Sequence, residues 1–214
     1  MTGTMWDQTS SAERESDGFL TGVAVGEVTD NKDPEGLARV RVRLPWQPEG
    51  DTSFWARAAM PMAGNGRGLY VLPEIGDEVL VAAEQGDPSH LYVLGALWNG
   101  KSPPPENNDD GKNNTRLFRS RSKHEIRFND DQSSPEIEVK LADGKRLALD
   151  QDKITIDDAK NNTITISSTD NTITIKAGQM LRLEATQIEI RANGTMSLNS
   201  SGTLQIKGSV VQIN

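Results

Sequence analysis

Residues 163–176 read Thr-Ile-Thr-Ile-Ser-Ser-Thr-Asp-Asn-Thr-Ile-Thr-Ile-Lys. Isoleucine at every second position puts the apolar side chains on one face of a strand and threonine on the other. The same apolar-x-apolar unit recurs on both sides of this stretch. The units are Leu147/Leu149, Ile154/Ile156, Ile164/Ile166, Ile173/Ile175, Leu181/Leu183, Ile188/Ile190, Met196/Leu198, Leu204/Ile206 and Val211/Ile213. They begin 7, 10, 9, 8, 7, 8, 8 and 7 residues apart, so nine short strands repeat at a period near eight. The residue inside each pair is nearly always polar, as at Thr155, Thr165, Thr174, Arg182, Glu189, Ser197, Gln205 and Gln212.

Two architectures fit such a repeat. One chain can wind alone as a β-solenoid, three units to a turn, or three identical chains can wind about a common axis as an intertwined prism. A unit offers only two inward side chains, each contributing roughly 1.5–3 kcal/mol when fully buried. Ordering the backbone costs about 1–2 kcal/mol per residue, so half-buried pairs and open strand edges are not sustainable. A nine-unit solenoid would make about three turns and needs capped ends, yet the corners are mixed and no cap is visible. Three chains fill the interior and supply strand partners to one another. The trimer is the favoured reading, and the single-chain solenoid, as an adhesin or cargo-display module with an OB-type binding domain, is its alternative.

Composition separates this region from the rest. All four Trp, both Tyr and all ten Pro lie at or before Pro135, and no aromatic follows Phe128. The first part can build an ordinary core containing its aromatics; the last must stack. Between residues 17 and 98, twelve acidic side chains stand against six basic ones, which argues against a nucleic-acid surface there. The basic run Arg116, Arg119, Arg121, Lys123 and Arg127 reads as a solvated or ion-paired strand face. Cysteine is absent, which removes disulfides, thiol nucleophiles and thiolate metal sites. Met1–Gly18 lacks the apolar run of a signal peptide and no stretch has transmembrane length. Synthesis in the cytoplasm without a leader is therefore expected.

Candidate strands upstream are Leu20–Val28, Ala38–Leu44, Phe54–Ala59, Glu78–Glu84 and His90–Leu97, separated by Asp/Asn/Pro/Gly turns. Five short strands without a helix suggest a small closed barrel of OB type. Gly64-Asn65-Gly66-Arg67-Gly68 reads as a flexible barrel loop, since no Lys-Ser/Thr and no helix follow it as a phosphate cradle requires. Residues 1–17, with the lone Trp6, read as a flexible arm.

The stretch from Tyr70 to Trp98 contains Pro73-Glu74-Ile75-Gly76-Asp77-Glu78-Val79-Leu80-Val81, Gly86-Asp87-Pro88 and Val93-Leu94-Gly95. It resembles the signature of the VgrG/baseplate-assembly-protein-V family, the central spikes of contractile tails. Arg119–Asp130 resembles the segment by which that family leaves its barrel and enters the spike, and the resemblance extends over about residues 18–214. It implies an all-β protein with a five-stranded OB-type barrel over 18–98, a linker over 99–115 and transition strands over 116–146. An intertwined trimeric β-helix, a β-prism needle, follows over 147–214, cored by the eighteen paired side chains above.

The departures are informative too. Only about seventeen residues precede the barrel, where larger members carry a hub, so a separate hub or baseplate protein is the expected partner. The interval Asn99–Asn114 is too short for the lysozyme domain that some phage members insert. With only His90 and His124 in the chain, the iron-binding His-x-His apex of some short spikes is missing. A PAAR-type tip protein docking on Val210, Val211, Ile213 and Asn214 is expected instead. A particle of a phage tail, tailocin or extracellular injector, acting on a target cell envelope outside the producing cell, is the implied setting.

Little in the residues points to catalysis. Asp150/Asp152 and Asp157/Asp158 sit at turns, where carboxylates usually accept local backbone amides, whereas acid–base work needs convergent groups with separated pKa values. Two distant histidines are too few donors for a zinc or iron site, although a three-fold ring of His124 could hold an ion in a trimer. Trp46, Trp55 and Tyr70 could form a stacking platform for bases, but on an acidic domain they read as core aromatics. The expectation is a mechanical protein with no catalytic residue, cofactor, resident metal or nucleic acid.

Overall fold

The computed structural model describes residues 20–48 and 50–213, and its regular elements are all β-strands. The Trp6 arm and Asn214 lie outside the described residues. The chain divides into two compact units, Met1–Lys112 and Asn113–Asn214.

In the first unit, β1 (Val23–Asp30), β2 (Arg39–Arg43), β3 (Ala56–Ala58), β6 (Glu78–Glu84) and β7 (Asp87–Leu97) close into a barrel in the order β1-β2-β3-β7-β6. Each expected strand appears within a few residues of its predicted bounds. Neighbours are antiparallel except β3 and β7, which run parallel and complete the closure. The core is aliphatic: Val28, Val40, Val42, Ala56, Val79 and Val81 are wholly buried, with Leu44 and Leu91 beside them. Gly26 faces this core, where a Cβ would lie 2.3 Å from Val42 Cγ1 and 3.1 Å from the Arg43 carbonyl. The interior is too narrow there for even a methyl group.

The barrel's aromatics correct the expectation of an aromatic core. Trp46, Phe54, Tyr70 and Trp98 are exposed. Trp55 lies on the outer side under the Arg39 and Arg41 guanidiniums, whose centres are 6.0 and 5.0 Å from its ring centroid. The physical reason is volume, because five short strands leave an interior that Val, Leu and Ala already fill. Gly64–Gly68 also differs from the flexible loop expected. β4 (Ala63–Gly64) and β5 (Arg67–Gly68) form a small hairpin closed by Leu69 N–H to the Met62 carbonyl at 3.0 Å.

The second unit contains one seven-stranded antiparallel meander. β8 (Thr115–Arg119), β9 (Glu125–Asn129), β10 (Glu136–Lys140), β11 (Arg146–Asp150), β12 (Lys153–Asp157), β13 (Thr163–Ser167) and β14 (Thr172–Lys176) pair in chain order. No break falls at residue 146, where transition strands were expected to give way to needle. The change comes after Lys176, since no residue from 177 to 213 belongs to a strand. Strand partners for Leu147–Ile175 therefore come from the same chain, and each pairs antiparallel with its sequence neighbour, unlike the stacked coils of a solenoid.

Candidate functional site

The register of the meander collects its apolar side chains on one face. Phe118 lies opposite Ile126, and Phe128 opposite Ile137. Val139 meets Leu147, Ile137 meets Leu149, and Leu147 meets Ile156. Ile154 meets Ile166, Ile156 meets Ile164, and these meet Ile173 and Ile175. Thirteen large apolar side chains thus form a continuous face, each between 39 and 71% exposed. Large contiguous apolar patches are uncommon on monomeric proteins and mark interaction surfaces.

Its reverse is polar and internally satisfied. Arg127 contacts Glu136 at 2.9 Å and Glu138 at 3.5 Å, Arg146 reaches Glu138 at 3.7 Å and Asp157 at 3.8 Å, and Arg119 pairs with Glu125 at 2.6 Å. Glu138, Ala148 and Thr155 are buried within this layer. Of the basic run, Arg119 and Arg127 are ion-paired on this strand face, while Arg116 donates to oxygens of Asn113 and Thr115 and Arg121 and Lys123 lie between β8 and β9; the apolar side is the one left without a cover.

The eighteen residues expected to pack as a spike core are all exposed within the single chain, and they fall into two groups. Leu147, Leu149, Ile154, Ile156, Ile164, Ile166, Ile173 and Ile175 share the apolar face, joined by Phe118, Ile126, Phe128, Ile137 and Val139 from strands outside the quoted repeat. The alternation of 126–128 and 137–139 was the signal that could have included them. The other ten form no strand within the single chain. Leu181, Leu183, Ile188, Ile190, Met196, Leu198, Leu204, Ile206, Val211 and Ile213 lie in a segment without strands, where every side chain from 178 to 213 is exposed. The physical reason is the missing partner. A two-residue apolar unit is too short to hold a strand unless a neighbour takes its backbone hydrogen bonds, and among the described residues no strand lies beside Leu183, Ile190, Leu198 or Ile206 to do so. Val210, at the proposed tip, is exposed in the same segment, and Asn214 lies outside the described residues.

The paired carboxylates act as turn caps. Asp150 accepts the amides of Asp152 and Lys153, both at 2.9 Å, and Asp157 accepts Ala159 N–H at 2.7 Å. Asp158 accepts Lys160 N–H at 2.7 Å and Asn162 N–H at 3.0 Å, and the Asn162 side chain chiefly holds its pKa below the usual value. Asp158 is thereby stabilised as its carboxylate, the opposite of a general acid. Asp87, Ser89 and His90 come together at the exposed start of β7, but the Ser89 hydroxyl and Asp87 carboxylate both meet Nδ1 of His90, at 3.0 and 3.1 Å. The Ser89 hydroxyl donates to Asp87 at 2.6 Å and is the main cause of a carboxyl pKa near 2. A relay needs its nucleophile and its orienting acid on opposite ring nitrogens. His124 accepts Ala142 N–H on Nδ1 at 3.2 Å, and no group of three or more metal-ligating side chains occurs among the described residues.

The signature residues of the barrel are scaffold. Gly76, at φ +91°, sends its N–H to the Val28 carbonyl at 2.8 Å, and the Asp77 carbonyl accepts Val28 N–H at 2.9 Å. Asp77 also caps Glu74 N–H at 2.8 Å. The turn therefore staples β6 to β1 before Val79 and Val81 enter the core.

The barrel is of OB type, followed by a sheet unit with an uncovered apolar face. Residues 24–98, spanning the barrel strands, match the Type VI secretion system/phage-baseplate injector OB domain. The chain is 37% identical over 92 residues to the type VI secretion system spike protein VgrG4b of Pseudomonas aeruginosa, covering 41% of this chain and 11% of that protein. It is 26% identical over 140 residues to the spike protein VgrG3 of Vibrio cholerae, covering 62% and 14%. To the actin cross-linking toxin VgrG1 of Vibrio cholerae it is 23% identical over 217 residues, covering 98% and 18%. The chain thus spans less than a fifth of the length of these relatives. Its barrel matches the injector OB domain, and the chain resembles VgrG spike proteins over that region.

Proposed function

We propose that this chain is a central spike component of a type VI or phage-type injection machine. It acts as a homotrimer that seats on a separate hub or baseplate protein and perforates a target envelope when a sheath contracts. The observation that carries the reading is the uncovered apolar face of β8–β14, continued by a paired apolar pattern from Leu181 to Ile213 that has no strand partner among the described residues. Three copies would cover each other's faces, and the segment after Lys176 would gain interchain strand partners as an intertwined β-helix. Such a prism resists bending because no strand leaves it without disturbing its neighbours. It passes axial force to a small area.

In this reading the chemistry is packing, with Ile, Leu and Val inside and Thr, Asn and ion pairs outside. No catalytic residue or cofactor takes part, and a PAAR-type tip protein caps the end formed by Val210, Val211, Ile213 and Asn214. The antiparallel pairing of β8–β14 speaks against the single-chain solenoid. The deciding measurement is absolute mass by light scattering across a dilution series. The expected mass is three times the 23.4 kDa of one chain, persisting in mild detergent. A mass of one chain at all concentrations would sink the proposal.

A further inference from the structure

We infer that His124 is an acid-sensitive latch on β8–β9, the hairpin that opens the meander. In the second unit the turns are joined to one another as well as through the strands. At one end Gln151 Nε2 donates to the Gln132 carbonyl at 3.3 Å, and the Thr169 hydroxyl donates to Asp152 Oδ1 at 3.3 Å. At the other end Ala142 N–H donates to His124 Nδ1 at 3.2 Å, Gly144 packs against the Ala159 methyl, and Gly178 N–H donates to Asn162 Oδ1 at 2.9 Å. Each turn is thereby stitched to the next one on its side of the sheet.

The His124 stitch differs from the others in its response to protons. Histidine is the side chain that ordinarily changes charge between about pH 5 and 8, and His124 is the only histidine of this unit. In a neutral imidazole one nitrogen donates and the other accepts. Because Nδ1 accepts the Ala142 amide, the ring hydrogen sits on Nε2. A second proton goes to Nδ1, both nitrogens then donate, and the amide is left facing a donor. The neutral ring makes the stitch and the imidazolium breaks it. His124 is exposed, so the proton arrives from solvent without rearrangement of the sheet.

The charges around the contact do not replace it. The His124 turn carries Arg121 and Lys123, and the Ala142 turn carries Asp143 and Lys145, which pair with each other. On the flanking strand ends Arg119 pairs with Glu125 at 2.6 Å, Arg146 lies 3.7 Å from Glu138 and 3.8 Å from Asp157, and Lys140 ends β10. The turn beyond Gly144 adds Lys160 and Asp158, whose carboxylate already accepts the Lys160 and Asn162 amides. Each of these carboxylates is engaged by a cation or by turn amides, so the imidazolium meets none that is unclaimed. The β8–β9 turn keeps its internal bonds, Ser120 N–H to the His124 carbonyl at 2.9 Å and His124 N–H to Ser120 Oγ at 3.1 Å. Acid therefore frees this turn from its neighbour and leaves both hairpins folded.

The test is amide hydrogen exchange by NMR on the full chain, expressed as protection relative to an unstructured peptide at the same pH. Ala142 is read against Gly178, whose acceptor, the Asn162 side chain, does not titrate. The expected result is Ala142 protection at least about fivefold lower at pH 5 than at pH 8, the order that one net hydrogen bond supplies, with Gly178 unchanged. In His124→Phe the Ala142 amide should be unprotected at both pH values. In His124→Asn, which keeps an acceptor oxygen, the pH dependence should disappear. Equal Ala142 protection at pH 5 and pH 8 in the parent, or protection retained in His124→Phe, would overturn the latch. Imidazole nitrogen shifts that put the ring hydrogen on Nδ1 at pH 8 would overturn it too. A parallel fall at Ala142 and Gly178 would mean that acid opens the whole sheet, and the local latch would be abandoned. None of these outcomes depends on how many chains assemble, so the latch and the trimer stand or fall separately.

Discussion

β1 of the barrel and β13 of the meander carry the same alternation and opposite fates. In β1, Ala24, Gly26 and Val28 turn into a closed interior and are buried. In β13, Ile164 and Ile166 turn to a face where they stay 39 and 41% exposed. Closure makes the difference. The barrel joins β7 back through β3 to β2 and so covers its own apolar side, whereas the meander ends in two open edges, at β8 and β14. Alternation tells which side of a strand is apolar and says nothing about what covers it. In the barrel the cover is the chain itself; in the meander it is proposed to be two more copies.

The strongest way to break that comparison is to put charge on the open face. Ile166→Asp or Ile175→Asp would set three carboxylates against one another in the proposed trimer interior, where unpaired charge is very costly. The expected outcome is loss of the trimer, with the light-scattering mass falling from three chains to one while the barrel's melting transition stays in place. A normally assembled trimer from either variant would mean that this face is not the assembly surface.

Within the barrel the effects should be smaller and independent of concentration. Leu44 is 2% exposed, and Leu44→Ala is expected to cost about 2–5 kcal/mol of barrel stability through the cavity it leaves. Gly26→Ala should cost about 1–3 kcal/mol by overpacking against Val42 and the Arg43 carbonyl. Chemical denaturation followed at several protein concentrations separates the two regions. If either midpoint moved with concentration, the barrel would not be the self-contained unit described here.

The same contrast explains what could be read from the residues alone. The five barrel strands were legible because turn chemistry at Asp30–Gly36 and Gly86 brackets each alternating run, and closure needs nothing from outside. Pairs such as Ile154/Ile156 were legible as one face of a sheet. Their partners were not, because an isoleucine looks the same whether its neighbour strand belongs to its own chain or to another. Ile188/Ile190 and Leu204/Ile206 show the limit of the pattern, since they repeat it faithfully and still form no strand within one chain. Trp46 and Tyr70 misled for a related reason: size and hydrophobicity favour burial on average, but a barrel this narrow has no room for them. Asp33 carried no signal beyond its place in a turn, since its role depends on Arg39 six residues away folding back over it.

Asp33 gives the finest test, because its contribution can be switched off by protons. The carboxylate is 3% exposed, accepts Arg39 Nε at 2.9 Å and Nη2 at 2.8 Å, and also takes the amides of Glu35, Leu37 and Arg39. The Arg39 side chain is the main cause of a pKa well below the carboxylate norm of 3.8, offset in part by burial. A carboxyl depressed in the folded state stabilises it above its unfolded pKa, near 3.9, and loses that contribution as pH falls through the folded value. Asp33→Asn should therefore lower the barrel's melting temperature at pH 7, and the gap to the parent should narrow steadily below about pH 4. Asp143→Asn, which breaks an exposed pair with Lys145, should move the melting temperature much less, because water and salt screen such pairs. Thermal melts of the three proteins from pH 7 to pH 2 decide it. A gap for Asp33→Asn that stays constant down to pH 2 would assign the loss to the geometry of the turn, with no part for the charge on Asp33.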